Sequence, residues 1–191
     1  MPKCISEHHF AIVGGASMKL PDLQLKEVAF AVDASSQAKP VSMVETINSP
    51  NGLLAIIISH RYNEPGINFF TPNELSQQLA YMRHPAGKII EPHTHNFAPR
   101  NVQYTQETLL IKRGKLRVDF YDHEQNYLES RILQSGDVIL LTQGGHGFEV
   151  LEEIEMFEVK QGPYTGDNDT TRFCGSRPPE LNFGPGGDGN E

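Results

Sequence analysis

Residues 107–141 read ETLLIKRGKLRVDFYDHEQNYLESRILQSGDVILL. Four short runs stand out in them: Thr108 to Lys112, Leu116 to Tyr121, Arg131 to Leu133 and Val138 to Leu141. Each is rich in β-branched, aromatic or aliphatic residues, and turn signals at Lys112-Arg113-Gly114-Lys115 and Gly136-Asp137 separate them. Such runs read as strands, because branched and aromatic side chains suit a pleated surface and glycine interrupts it. The same texture extends outward to Leu53–Ser59, Gln78–Met82 and Ile154–Val159. Many short strands at fairly regular spacing predict an all-β sandwich or barrel.

The ends of the chain differ from this middle. Residues 1–50 hold apolar stretches at Phe10–Val13 and Val28–Val32, broken by Gly14-Gly15, Pro21 and Pro40, and read as an extended N-terminal arm with short strands. Residues 51–165 form the expected barrel. Residues 166–191 end in a stretch crowded with Gly and Pro, which predicts a flexible tail. One helical signal interrupts the β pattern: Thr71, Pro72 and Glu74 have the spacing of a capping box and predict a short helix over about Pro72–Ser76. No internal repeat is present, which argues against two barrels in one chain.

With 191 residues the chain suits one domain that buries a sizeable core. Its formal net charge of -8 repels phosphate backbones and makes nucleic acid a poor partner. No apolar stretch approaches a membrane span and residues 1–10 lack an apolar leader core, so the expectation is a cytoplasmic protein without a membrane partner. The two cysteines, Cys4 and Cys174, have no C-x-x-C partner and read as reduced bystanders.

Chemistry concentrates around His93-Thr94-His95. On a β-strand, residues two apart project to the same face and two imidazoles so placed can hold one ion, whereas on a helix they diverge. Glu107 opens the next predicted strand, and His146 follows a further strand within Gly144-Gly145-His146-Gly147. His8, His9, His60, His84 and His123 have no such company and read as bystanders. Arg100 and Tyr104 lie in the long connection between the candidate ligands, where they are placed to orient an anionic or hydroxylated substrate. Glu158 and Lys160 share parity with Ile154 and Met156, and so are candidates to project into the barrel.

Together these residues resemble the cupins. Gly87, five residues, His93-Thr94-His95, and then Glu107, six residues, Gly114 are similar to the family's first motif; Gly136 to His146 is similar to its second. The gap from His95 to Glu107 is longer than usual, implying a loop insertion over residues 96–102 above the pocket. Thr142 stands where proline is usual, and His146 falls one position early. The resemblance implies a cupin (double-stranded β-helix or jelly-roll) barrel with one divalent transition metal, Fe, Mn, Ni or Zn, on His93, His95, Glu107 and His146. It also implies a homodimer and a small-molecule ligand. The expected function is a metal-dependent dioxygenase or sugar-type isomerase or epimerase, with a non-catalytic, metal-dependent small-molecule binding module as the alternative.

Overall fold

A computed structural model describes residues 42–166 and 169–176. The apolar stretches at 10–13 and 28–32, His8, His9 and Cys4 lie outside the described residues, as does the end of the expected tail from 177. Eight strands run in order: β1 (Val44–Ser49), β2 (Gly52–Ile58), β3 (Gly66–Phe69), β4 (Ala80–Arg83), β5 (Glu107–Tyr121), β6 (Tyr127–Gln134), β7 (Val138–Leu141) and β8 (Gly145–Lys160). The architecture is all-β, as expected. Strands β1 and β3 are additions to the sequence reading, and β1 falls in the stretch read as the arm.

The main sheet has the order β1-β2-β7-β5-β6, with β8 along the other side of β5, while β3 and β4 form a separate hairpin. All its pairings are antiparallel. The first part of β5 pairs with β7 and the second part with β6, so one strand serves two neighbours on the same side. The sheet is strongly curled, a half-barrel, and β6 and β7 follow one another along that side of β5.

Side-chain parity explains the curl. Leu109 and Ile111 point into the core, but beyond Gly114 the buried residues are Leu116, Val118 and Phe120, so the inward set changes from odd to even numbers. The ladder with β8 absorbs the change in register shifts between Ile111 and Leu116. Gly114 sits in this bend with φ +90°, where a Cβ would lie 2.1 Å from the Glu153 carbonyl oxygen. The turn expected at residues 112–115 is therefore a bulge inside one continuous strand. Cross-strand ion pairs span it: Lys112 to Glu155 at 2.6 Å, Arg113 to Glu153 at 3.1 Å and Lys115 to Glu152 at 2.8 Å.

The core lies on the concave side and joins Ile47, Ala55, Ile57, Leu109, Ile139 and Leu141 to the inward residues of β5 and to Leu133. Strand β2 has the near-continuous apolar run of a strand with neighbours on both edges and cover on both faces.

The expected helix after Thr71 is corrected to a turn. The Thr71 hydroxyl accepts from the Leu79 N–H and donates to Gln78 Oε1 instead of capping a helix. The Gln78 amide donates to the carbonyls of Pro72 and Leu75, taking the acceptors that a longer helix would need.

Two observations concern the C-terminal stretch. Phe173 packs edge-on against Tyr121 at 5.1 Å between ring centroids, and a Cβ on Gly175 would lie 2.5 Å from the Tyr121 hydroxyl. The expectation of a reduced bystander is corrected at Cys174, which is disulfide-bonded. Among the described residues no helix is long and apolar enough to cross a membrane.

Candidate functional site

Glu107 opens β5 on its inward face, and its ladder partner is Lys160, the last residue of β8. Lys160 Nζ lies 3.3 Å from Glu107 Oε1 and 3.1 Å from Glu158 Oε1. Both Glu158 and Lys160 thus project as their parity suggests. His146, the second residue of β8, brings Nε2 to 3.3 Å from Glu107 Oε2. This contact requires the Nε2–H form of the imidazole, which donates to the carboxylate. The hydrogen bond from His146 holds the Glu107 carboxyl below its ordinary range, against the opposing effect of burial and with help from the charges of His146 and Lys160. Hydrogen bonds to Glu158 and Glu107 hold Lys160 protonated above its ordinary range.

The segment containing His93 and His95 is not a strand. The two rings still meet, 5.4 Å apart between centroids and edge to face, and His93 Nδ1 lies 3.0 Å from the Glu91 carbonyl oxygen. The four expected ligands therefore fall into two pairs, Glu107 with His146 and His93 with His95. Among the described residues no group of three or more His, Cys, Asp or Glu is placed to share one ion. His146 and Lys160 each contact one oxygen of Glu107. His146 lies within β8, one residue past its start.

Arg100 is exposed and donates to the carbonyl of Ala98 in its own loop. It also lines an open cavity of about 590 Å³ between residues 73–78 and 99–101, whose lining includes neither Glu107 nor His146. Tyr104, 54% exposed, stacks at a tilt on His123 with 5.7 Å between centroids. Neither residue contacts the Glu107–His146 pair in the hydrogen bonds and ring contacts they make here.

Three polar clusters were not legible in the sequence. Buried Asp137 accepts from the backbone N–H of His60 at 2.8 Å and from that of Gln134 at 2.9 Å, with His60 Nδ1 at 3.0 Å. The only sequence signal was the Gly136-Asp137 turn, which marks the position without its partner 77 residues away. On β5 and β6, Arg117, Asp119, Tyr127 and Ser130 form a second network on the outward face. Below the loop, Gln106 accepts from Ser76 and Gln77 and its backbone N–H donates to Gln161, while Gln77 donates to Thr108 at 2.6 Å.

No protein-family model, no curated protein and no solved structure matches this chain.

Proposed function

We propose that the chain is a cupin-type, metal-dependent small-molecule enzyme, a dioxygenase or a sugar-type isomerase or epimerase, working as a homodimer. The observation that supports this reading is the contact of Glu107 with His146 on the concave face of a curled antiparallel sheet. Two of the four expected donors already share one place there.

His93 and His95 would complete the set by joining that pair. Three imidazoles and one carboxylate suit Fe, Mn, Ni or Zn. Such an ion, when bound, supplies Lewis-acid polarisation or a place for dioxygen. Without an ion, Lys160 holds Glu107 ionised and orients its carboxylate and His146 donates its Nε2–H to it; to ligate an ion His146 would give up that hydrogen bond. Arg100 and Tyr104 are the groups proposed to orient the substrate, from the loop that also bears His93 and His95.

A second reading, a small-molecule binding module, is favoured by one specific observation. Lys160 and His146 already engage both carboxylate oxygens of Glu107 without an ion. The test is metal content after reconstitution with each of the four ions and desalting. Near-stoichiometric binding that is lost in both His146→Ala and the double variant His93→Ala, His95→Ala supports the metal reading. Binding of no ion by the wild type refutes it and leaves the binding module.

A further inference from the structure

Every residue from 85 to 105 is exposed. This stretch includes Ile89 at 78%, Ile90 at 61% and Phe97 at 96% exposure. Its two ends are tied down. Arg83 ends β4 and donates to the Asn63 carbonyl at 2.6 Å, and buried Gln106 is gripped by Ser76, Gln77 and Gln161. A connection of this length without secondary structure is uncommon in a compact domain, and such connections are often lids. Surface apolar residues scattered singly are ordinary, but several on one tethered segment form a face without a seat.

A matching seat lies on β8. Phe148, Val150 and Met156 pair with Val118, Leu116 and Ile111, and directly paired residues share a face of the sheet. The β5 member of each pair is 0% exposed, whereas the β8 members are 42%, 56% and 39% exposed. The concave face is therefore covered along β5 and open along β8.

We propose that residues 85–105 are a strap that closes over this inner row of β8, seating Phe97 against Phe148 and Val150. The tether reaches. Phe97 precedes Glu107 by ten residues (107 − 97), which span up to about 35 Å when extended. His146 meets Glu107 at 3.3 Å, and Phe148 is two residues beyond it, roughly 7 Å along the strand. A second copy fits this strand worse, because two β8 edges laid antiparallel would pair backbone with backbone, meeting through glutamates already held by a Lys or Arg of their own chain, and would leave the inner apolar row uncovered. Closure would move His93 and His95, which ride on the same segment as Phe97. The proposed function needs a movement of that segment, but the strap is argued from apolar complementarity alone.

The chain contains no Trp, so Phe97→Trp makes a single reporter. It is read in full-length protein with chelator present, so that failure of the strap and failure of the metal site are separate results. The expected result is blue-shifted emission shielded from iodide, together with slow tryptic cleavage after Lys88 and Arg100. Adding Phe148→Asp and Val150→Asp should expose the reporter and speed both cleavages about tenfold, as for a segment released from local protection. The milder pair Phe148→Thr and Val150→Thr serves if circular dichroism shows the aspartates unfold the sheet. Phe157→Asp, on the opposite face, should change neither readout. An exposed reporter in Phe97→Trp itself overturns the proposal. So does shielding that survives both β8 row variants, which would mark another cover such as residues 1–41, or shielding lost on dilution, which would mark a second copy.

Discussion

Glu107 and His146 stand at opposite ends of the β5–β8 ladder, where Glu107 faces Lys160 and His146 faces Phe120, yet their side chains meet at 3.3 Å. In a flat ribbon, thirteen residues of β5 (120 − 107) would separate them by roughly 43 Å. The contact therefore exists because the ribbon curls on itself, through the bend at Gly114.

Glu107 makes the acid limb of stability. Its folded pKa lies below the ordinary value of 4.5, so its contribution is fully present above that pH and is lost as pH falls through the lower folded value. In metal-free protein, Glu107→Gln should flatten the dependence of urea midpoint on pH below about pH 4.5. Glu107→Ala should lower the urea midpoint at neutral pH, since it removes the acceptor that His146 and Lys160 share.

Gly114→Ala should be among the most destabilising single changes. It adds a side chain at φ +90° with its Cβ 2.1 Å from a carbonyl oxygen that the ladder holds in place. We expect a loss of about 2–4 kcal/mol in urea denaturation and weaker near-ultraviolet dichroism. A loss below half a kcal/mol would show that the bend relaxes around the methyl group.

Asp137, just before β7, ties His60, two residues past the end of β2, to Gln134 at the end of β6. Asp137→Ala should cost about 2–4 kcal/mol, because it strands two backbone donors beside a buried position. Asp137→Asn, which keeps one acceptor oxygen, should cost roughly half as much. Thermal denaturation of the two variants side by side measures the difference.

Cys174 should not react with a maleimide in folded or urea-unfolded protein until a reductant is added, because it is disulfide-bonded. Intact mass spectrometry of the labelled protein reads this directly. Labelling of Cys174 without reductant would contradict the bond. Disulfides persist in oxidising compartments, so the result bears on the cytoplasmic location expected from the sequence.

Much of the β pattern was legible because burial writes itself into local composition. Leu53–Ser59 and Val138–Leu141 are apolar runs, and they correspond to β2 and β7 nearly residue for residue. Strands β1 and β3 were missed because Glu45, Thr46 and Asn48, and likewise Gly66 and Asn68, dilute the apolar signal at the sheet's edge and in the hairpin. The helix at residues 72–76 was read from a capping pattern that is real in composition. Gln78 and Leu79 claimed its hydrogen bonds, which a local pattern does not record.

By itself the sequence determined that this is a β protein, because branched, aromatic and aliphatic side chains concentrate in short runs between turn residues. It also determined which residues can carry chemistry, His93, His95, Glu107 and His146 among them, since only their side chains offer such donors. Only the tertiary structure decided which of them meet. The curl at Gly114 brings His146 to Glu107, ladder register brings Lys160 to the same carboxylate, and the exposed connection leaves His93 and His95 as a separate pair. Such contacts depend on the summed bends and registers of whole strands, and no short window of sequence contains that sum.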